Sequence, residues 1–584
     1  MPTLEWIGKD KVVNHHLDVP YRVLERQYSF DENGQHTEDN GSDNMIIHGD
    51  NLEALKSLLP QYEGRVKCIY IDPPYNTGNE GWVYNDNVND PRIRKWLGDV
   101  VGKEGEDLSR HDKWLCMMYP RLKLLQRLLA DDGAIFISID DNELYYLKAI
   151  CDEIFGSTCF VADISWQRTY SMRNDVKGIA AEVEHILVYG KKPLWQPNKL
   201  KRTEQMNSKY KNPDNDPRGA WRNIVASAPN AATHQGMVYA IQNPTTGEYV
   251  YPPQGRCWSL GQDQMLEAMN QWCEYKLLDL HDNEKRAEMC GVSKDSIRSD
   301  VLAIVLAEPL ETAKKKAAEI FKNGVLPEFY FSRNGLGTLS RKAYINEVGG
   351  RPVTNFWSFE ETGHTDEASR LLKAIFNGTA VFDTPKPPRL IERILHIAGD
   401  SETLILDSFG GSATTAHAVL NMNKADGGNR KFILIEMMDY ADSITAERVK
   451  RVIQGYGSGK NAVADTGGSF SYYELGEPLM VGDVLNENVD VDKIREYVYF
   501  TDTKSRLPEA HPDEPYYMGV HVNSAYYFYY EKQAVTTLNR EFLHTVKTKA
   551  DAYVIYADLC TLSDAELEKY HITFKKIPRD ITKL

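Results

Sequence analysis

Residues 68–78 read CIYIDPPYNTG, an apolar run that stops at an acid, two prolines and an aromatic residue. The β-branched and aromatic residues before Asp72 predict a buried strand, and the prolines predict where that strand ends. In open α/β sheets, ligands bind beyond the carboxyl ends of the strands. The stretch therefore predicts an α/β fold that carries functional side chains at the end of this strand.

The segment that follows the strand presents hydrogen-bond acceptors. Neither proline has an N–H, and Pro73 pushes Asp72 toward an extended conformation. A carboxylate and carbonyls suit an exocyclic amino group as the donor, and Tyr75 offers a stacking surface for the ring that carries this amine. A turn with a capping acid and no ligand is the alternative. The residues predicted to be catalytic are Asp72, Pro73, Pro74 and Tyr75.

A second pattern of this kind lies far along the chain. Residues 404–415, LILDSFGGSATT, read as a buried strand, a turn of small residues and the start of a helix, which lets a ligand approach the backbone closely. The next apolar run ends in Glu436, where an acid suits a pair of ribose hydroxyls. A Gly-rich turn alone is also typical of plain strand-to-helix connections. Together with Glu436 and Asp72, it predicts a cofactor site beside a catalytic site.

In these two patterns the chain resembles the amino-methyltransferases of DNA that use S-adenosylmethionine. It is similar to the permuted group, whose catalytic motif precedes the cofactor motif, and more narrowly to the modification subunit of type III restriction-modification systems. The resemblance covers residues 44–455. It rests on IHGDNL at 47–52, IYIDPPYNTG at 69–78, MYPRL at 118–122, residues 133–141, NPDNDPRG at 212–219, TPKP at 384–387 and FGGSATT at 409–415.

The resemblance implies a Rossmann-like class I methyltransferase sheet in permuted motif order, with an inserted target-recognition domain and a separate C-terminal domain. It implies S-adenosylmethionine as the cofactor, and the reaction needs no metal. The family usually has glycine where Ala413 stands, so the turn is slightly tighter here. Asp50 is the least specific member of the set, because an acid at the start of a helix is often only its N-cap. The residues predicted to hold the cofactor are Asp50, Lys386, Asp407, Phe409, Gly411, Ser412, Thr414 and Glu436.

The expected reaction is methyl transfer to the exocyclic amino group of adenine in duplex DNA. The lone pair of this amine is delocalised into the ring, so we expect Asp72 and the Pro73 carbonyl to accept its hydrogens and draw it out of plane. The base has to be flipped out of the duplex first. Three alternatives stay open: a cytosine amine as the target, an RNA or protein amide methyltransferase, and a catalytically silent DNA-specificity subunit.

The sequence predicts five regions. Strand signals at 45–48, 66–71 and 134–139 alternate with a helical apolar stripe, which is the pattern of a parallel sheet. The composition changes after this part and returns to the same alternation later. The predicted regions are an N-terminal arm at 1–43, the catalytic half of the core at 44–165, the inserted target-recognition domain at 166–380, the cofactor half at 381–455 and a C-terminal interaction domain at 456–584.

The formal net charge of −16 is unfavourable for binding a polyanion such as DNA. Segment 167–223 is an exception, with 12 Lys and Arg against 6 Asp and Glu and with interleaved aromatic residues. A solvated, charged loop is the alternative. As a cluster next to the core, the segment predicts a groove that follows phosphates of double-stranded DNA. The residues predicted to bind DNA are Lys191, Lys192, Lys199, Lys201, Arg202, Lys209 and Lys211.

Composition favours a cytoplasmic enzyme, with 42% hydrophobic and 26% charged residues. The eight cysteines form no Cys-x-x-Cys pair, and no apolar run approaches the roughly 20 residues that span a bilayer, so we expect neither disulfides nor a membrane partner. No Gly-x-x-x-x-Gly-Lys-Ser/Thr loop occurs, so ATP-dependent cleavage is expected to need a separate helicase-nuclease restriction subunit. The resemblance also implies a homodimer.

Overall fold

The computed structural model describes residues 3–77, 110–170, 178–508 and 513–579. Gly78, the last residue of the first motif, lies outside these ranges. The chain divides into two compact units. The first joins Met1–Asn198 with Val353–Leu584, and the second is Lys199–Pro352.

The first unit is built on one sheet, which has eleven strands among the described residues. Six neighbouring strands, from Leu129–Ile139 to Phe470–Pro478, run parallel to one another. In spatial order the strands are Phe356–Trp357, Phe160–Gln167, Val183–Gly190, Leu129–Ile139, Val66–Ile71, Leu404–Asp407, Lys431–Glu436, Met45–His48, Phe470–Pro478, Arg22–Asp31 and Gly34–His36.

Helices cover the parallel part of the sheet. Four consecutive residues, Cys68 to Ile71, are all buried although successive side chains point to opposite faces, so both faces of this strand are covered. No helix in the described ranges is long and apolar enough to cross a membrane. The α-helices of this core are Lys9–Val12, His15–Asp18, Asn51–Tyr62, Arg110–Leu128, Leu144–Phe155, Phe359–Thr362, Thr365–Ile375, Pro388–Ala398, Thr414–Asp426 and Glu447–Gln454, the last preceded by a π-helical turn, Ala441–Ala446.

The strand order changes direction between Val66–Ile71 and Leu404–Asp407. These strands are parallel neighbours, with Leu406 beside Ile69, so their carboxyl ends meet at one edge of the sheet. From this point successive strands spread to either side, which creates the crevice where open α/β sheets bind ligands. The predicted Rossmann-like sheet in permuted order is therefore confirmed.

One outer edge of the sheet was not foreseen. The strand Arg22–Asp31 pairs antiparallel with Phe470–Pro478, which in turn runs parallel to Met45–His48. Segments predicted as an N-terminal arm and as the start of a C-terminal domain thus contribute strands to the central sheet. Ser29 lies opposite Ser471, and local sequence patterns contain no information on a pairing between segments so far apart.

The opposite edge also extends past the predicted core. Val183–Gly190 runs antiparallel to Leu129–Ile139 and is followed outward by Phe160–Gln167. The sequence predicted an insertion at 166–380, whereas the second compact unit is Lys199–Pro352. Periodicity alone does not distinguish a strand that joins an existing sheet from one that begins a new domain.

The second unit has its own apolar core, which includes Trp221, Tyr239 and Trp272. A charged helix of this unit spans Leu310–Asn323. The other helices are Glu204–Asn207, Gln262–Met269 and Asn283–Cys290. The strands are Trp221–Val225, Ser227–Pro229, Ile241–Gln242, Tyr249–Val250, Arg256–Trp258, Tyr275–Leu278, Ala303–Leu306, Phe329–Phe331 and Leu339–Tyr344.

The end of the chain forms a smaller sheet within the first unit. Its strands in spatial order are Tyr517–His521, Ser524–Phe528, Ala552–Ala557 and Ile572–Lys576. The remaining helices and short strands of this part are Met480–Val481, Val484–Leu485, Val491–Thr503, Thr537–Leu538, Arg540–Leu543, Leu559–Cys560 and Asp564–Lys569.

Candidate active site

The carboxylate of Asp72 follows directly on the strand Val66–Ile71 and is held by two side chains. Lys386 Nζ donates to its two oxygens at 2.9 and 2.7 Å. The Tyr75 hydroxyl donates to Asp72 Oδ1 at 2.8 Å and accepts from Lys386 Nζ at 2.9 Å. The predicted catalytic acid and aromatic residue therefore lie together. Lys386, predicted to hold the cofactor, contacts both of them.

A second buried carboxylate, Glu184, belongs to this group and was not predicted. Its Oε2 lies 3.5 Å from Lys386 Nζ and 3.2 Å from the Tyr75 hydroxyl, and its Oε1 accepts from Arg168 Nη1 at 2.7 Å. Glu184 stands near the start of the strand Val183–Gly190, whose antiparallel direction brings that start to the carboxyl edge of the sheet. The apolar run after Glu184 was the available signal, but sequence analysis assigned it to the insertion.

Two carboxylates and two cations leave this group without net charge. Burial raises the pKa of Asp72, and the ammonium of Lys386 opposes that shift. Burial also acts on Glu184, but Lys386 and Arg168 together bring the pKa of Glu184 below its usual value. The pKa of Lys386 is raised, because the attraction of Asp72 and Glu184 outweighs the effect of burial. We therefore treat Lys386 as charged at neutral pH.

The loop after Asp72 is fixed by its own hydrogen bonds. The Pro74 carbonyl accepts from Trp114 Nε1 at 2.6 Å. Asn76 has a left-handed backbone, with φ 57°, and its side-chain amide donates to Glu143 Oε1 at 2.5 Å and to the Arg110 carbonyl at 3.1 Å. Because asparagine tolerates this conformation better than most residues, it suits the turn. The acceptors at the strand end are thus held in a rigid frame.

The predicted cofactor turn begins at Asp407, at the end of its strand. Asp407 accepts from Thr415 Oγ1 at 2.6 Å and from the Phe409 amide at 3.0 Å. Gly411 has φ 48°, and a Cβ there would lie 3.1 Å from the ring of Phe382. Ala413 also has a left-handed backbone, with φ 61°, a region that glycine adopts at no steric cost.

Glu436 closes this turn from the neighbouring strand. Its carboxylate accepts from the Gly411 amide at 2.7 Å and from the Met438 amide at 3.0 Å. Burial raises the pKa of Glu436 to about 7 and that of Asp407 to about 7. Within the described ranges neither acid is paired with a lysine or arginine. Both acids therefore titrate near neutral pH.

The two groups line one cleft of about 910 Å³, counted with its open mouth. The cleft lies in the first compact unit. Pro73, Tyr75 and Asp50 were predicted as site residues but are not among its lining residues. The predicted residues that line it are Asp72, Pro74, Lys386, Asp407, Phe409, Gly411, Ser412, Thr414 and Glu436. Lining residues that sequence analysis missed include Asn51, Met117, Arg121, Phe382 and Tyr440.

Asp50 caps the helix Asn51–Tyr62. Its Oδ1 accepts from the amides of Leu52 and Glu53 at 2.9 and 3.2 Å, the geometry of an N-cap. Its Oδ2 lies 3.4 Å from Arg121 Nη2, and Arg121 also donates to Asn51 Oδ1 at 2.5 Å. Asp50 thus contacts residues that line the cleft without lining it itself.

The residues predicted to bind DNA do not form one set. Lys191 and Lys192 follow the strand Val183–Gly190 and lie at the end of the sheet opposite to Asp72. Lys191 donates to the Gln126 carbonyl, and Lys192 pairs with Asp131. The others lie in the second unit. Lys199, Lys201, Lys209 and Lys211 are exposed, and Arg202 is half-buried.

No group of three or more His, Cys, Asp or Glu residues in the described part of the chain is arranged to hold a metal ion. All eight cysteines are free thiols. The cleft offers carboxylates, hydroxyls, backbone amides, the Lys386 ammonium and the Arg121 guanidinium.

Comparison with known proteins gives consistent relatives. The Mod subunit of the type III restriction-modification enzyme StyLTI of Salmonella typhimurium is 30% identical over 507 residues, covering 81% of this chain and 66% of that protein. The EcoP15I Mod subunit of Escherichia coli is 28% identical over 499 residues, covering 78% of this chain and 66% of the relative. The type II methyltransferase M.KpnI of Klebsiella pneumoniae is 30% identical over 399 residues, covering 67% of this chain and 80% of the relative.

The matched part of the chain thus spans just under two thirds of the two Mod subunits. The model of the DNA methylase family matches residues 66–447, which include both groups that line the cleft. This match covers more than half of the sequence. The chain belongs to the DNA methylase family.

Proposed function

We propose that this chain transfers a methyl group from S-adenosylmethionine to the exocyclic amino group of adenine in duplex DNA, as the modification subunit of a type III restriction-modification system. One observation carries the proposal. The acceptor group around Asp72 and the glycine turn beside Glu436 line a single cleft at the carboxyl edge of neighbouring parallel strands.

The turn fits the proposed cofactor. A Cβ at Gly410 would lie 3.2 Å from the Ile435 carbonyl and one at Gly411 3.1 Å from Phe382, so a side chain at either position would crowd its protein neighbour in this turn. Glu436 is buried and still faces the cleft, as an acceptor for two ribose hydroxyls has to be. S-adenosylmethionine supplies a methyl group already activated by its sulfonium. Phe409, Ser412 and Thr414 complete the walls that hold it.

Asp72 is the group that accepts hydrogen bonds from the target amine. Its carboxylate is engaged by Lys386, so the amine has to displace this ammonium. Glu184 offers Lys386 an alternative acceptor, since its Oε2 is already within 3.5 Å of Lys386 Nζ. We propose that Lys386 turns toward Glu184 when the base enters, which keeps its charge paired.

Alignment of the amine with the methyl group accounts for much of the rate. Positioning of this kind contributes roughly 7–11 kcal/mol when the reacting atoms are held in line. The loop fixed by Trp114 and Glu143 keeps Asp72 in place for that purpose. The base leaves the duplex at a cost of about a few kcal/mol. Stacking on Tyr75 would offset part of this cost only if the buried ring became accessible from the cleft, whose lining does not include it.

The cytosine amine is the second candidate substrate, because the same acceptors serve it. Mass spectrometry of nucleosides from DNA treated with the purified chain and S-adenosylmethionine distinguishes the two. Methylated adenine is the expected product, and methylcytosine alone supports the alternative. Binding of DNA and cofactor without any product supports a silent specificity subunit.

The proposal extends to partners and location. We propose that the chain works in the cytoplasm as a homodimer, that the exposed basic residues of the second unit follow DNA phosphates, and that a separate ATP-dependent helicase-nuclease restriction subunit cleaves DNA. The 584 residues contain no phosphate-binding loop of the Gly-x-x-x-x-Gly-Lys-Ser/Thr type, which supports this division. Light scattering of the purified chain is expected to give twice the monomer mass, and ATP-dependent cleavage by the chain alone contradicts the division.

A further inference from the structure

Arg448 is a buried cation behind the cofactor turn. It belongs to the helix Glu447–Gln454 and is 1% exposed. Its Nη1 donates to the Ser412 carbonyl at 2.9 Å, to Ser412 Oγ at 3.0 Å and to Thr414 Oγ1 at 2.9 Å. Its Nη2 donates to His417 Nδ1 at 3.1 Å. All of these partners are neutral.

A buried guanidinium usually has a carboxylate beside it, because removing an unpaired charge from water is costly. Among the described residues no Asp or Glu is paired with Arg448, and its Nε has no hydrogen-bond acceptor. His417 does not share the charge. Burial lowers the pKa of His417 well below its usual value, so it stays neutral and accepts through Nδ1. The folded protein thus holds a positive charge without a counter-charge of its own.

The hydrogen bonds from Arg448 also fix which way two hydroxyls donate. The oxygens of Ser412 and Thr414 accept from the guanidinium, and the Thr414 hydroxyl donates onward to the Lys386 carbonyl at 3.1 Å. The Ser412 hydroxyl has only a long contact, 3.4 Å, to Thr414 Oγ1. Since Ser412 lines the cleft, its proton is available to a ligand acceptor there.

The other charges of the cleft make this end the one that suits an anion. Arg121 also lines the cleft, but its guanidinium is engaged by Asn51 and Asp50. Lys386 is committed to Asp72 and Glu184. Positive potential from Arg448 and a donor hydroxyl on Ser412 coincide on one side of the glycine turn.

We infer that Arg448 is a positioning residue for the carboxylate of the cofactor's amino-acid part, which it serves by orienting the Ser412 and Thr414 hydroxyls and by placing a positive charge behind them. This inference rests on the proposed use of S-adenosylmethionine. Arg448 does not line the cleft and acts through the turn. The inference predicts that Arg448 contributes to the affinity for ligands that carry this carboxylate and not to the affinity for ligands that lack it.

Calorimetry on the full chain tests the inference with two ligands. S-adenosylhomocysteine carries the carboxylate, and 5′-methylthioadenosine has the same nucleoside without the amino acid. In Arg448→Met, affinity for S-adenosylhomocysteine is expected to fall by about tenfold or more, because the Ser412 hydroxyl loses its orientation and its charge-assisted hydrogen bond to the carboxylate weakens, whereas affinity for 5′-methylthioadenosine stays within about twofold. Equal losses for both ligands, or no loss for either, overturn the inference.

Two further variants keep the test decisive if Arg448→Met does not fold, as judged by circular dichroism. Ser412→Ala is expected to lose affinity only for the carboxylate ligand, and an unchanged ratio of the two affinities contradicts the inference. His417→Asn, which removes the contact on the far side of the guanidinium, is the matched control and is expected to leave that ratio unchanged. If the wild-type chain binds neither ligand, the proposed function fails. If it binds both and the variants do not discriminate, only the role of Arg448 fails.

Discussion

The two sides of the cleft hold buried acids in different ways. On the catalytic side, Asp72 and Glu184 are paired with Lys386 and Arg168. On the proposed cofactor side, the hydrogen bonds that Glu436 and Asp407 accept from described residues come from backbone amides and a hydroxyl. On the first side, the cations oppose the effect of burial on the pKa of Asp72 and bring the pKa of Glu184 below its usual value. On the second side, burial raises the pKa of both acids to about 7. Burial alone therefore does not decide ionisation, and the partner does.

The largest effect on the rate of methyl transfer is expected for a substitution of Asp72, on the side where the acids are paired with cations. Asp72→Asn keeps the shape of the side chain but removes the charge that holds Lys386 and accepts the amine. We expect methyl transfer in single-turnover assays to fall by on the order of 10²–10³-fold, as when one preorganised polar group is lost from an active site. Calorimetric affinity for S-adenosylhomocysteine should change little. Asp132→Asn, at an exposed pair with Lys67, is the control, and full activity in Asp72→Asn contradicts the assignment.

The matching change on the unpaired side is Glu436→Ala. It removes the acceptor proposed for the ribose hydroxyls, so cofactor binding should weaken by about 1.5–3 kcal/mol. The same calorimetric experiment measures it. Asp72→Asn serves as the reciprocal control, because it should affect turnover and not binding. Unchanged affinity in Glu436→Ala means that the ribose binds elsewhere.

Glu184→Gln tests whether the paired side depends on its second acid. Without this carboxylate, Lys386 has no charged alternative to Asp72, and the target amine must displace a more firmly held ammonium. Methyl transfer should slow by about tenfold, corresponding to about 1.4 kcal/mol in the barrier. Glu367→Gln removes an exposed partner of Arg389 and should have no effect on the rate. A wild-type rate in Glu184→Gln leaves Glu184 with a structural role only.

The contrast also predicts a pH dependence. Glu436 has a folded pKa of about 7, above its value in the unfolded chain, so it is protonated below pH 7 and a poorer acceptor there. Cofactor affinity should rise with pH through 7, by up to on the order of tenfold between pH 6 and pH 8. The stability of the free protein has the opposite sign, because the contribution of this group is present at low pH and is lost as the pH rises toward 7. Glu436→Gln should remove the pH dependence of affinity, and its persistence would assign the titration to another group.

The smallest effect concerns basic residues outside the cleft. Neutralising Lys199, Lys201 and Arg202 together should weaken DNA binding for all sequences and reduce the slope of log affinity against log salt by up to about 3, because each phosphate contact contributes about 0.9. Lys192→Ala is the control, since Lys192 is paired with Asp131 at the sheet edge opposite to Asp72. A reduced slope in the control and not in the triple variant reverses this assignment.

Much of the core could be predicted because its signals are local. The runs at 45–48 and 66–71 are strands with those bounds, and Glu436 ends its strand beside the glycine turn as expected. Glu184 was missed because two of its partners, Tyr75 and Lys386, stand 109 or more positions away along the chain and its strand was assigned to the insertion. Arg448 was missed for a similar reason. An arginine in an amphipathic helix is ordinarily a surface residue, and only the packed structure reveals that it is buried.

If Asp72 accepts the target amine as proposed, the Lys386 ammonium competes with that amine for the same carboxylate. The Lys386 ammonium is tethered beside Asp72, so its effective concentration exceeds that of a free amine in solution. Lys386 therefore occupies the Asp72 carboxylate until another donor displaces it. An incoming base displaces it only if contacts elsewhere hold that base in place long enough. Weakly held bases are therefore rejected at the acceptor itself. Selectivity among bases then depends on how strongly the base amine binds the Asp72 carboxylate compared with the Lys386 ammonium. It does not require a pocket whose shape admits only one of them.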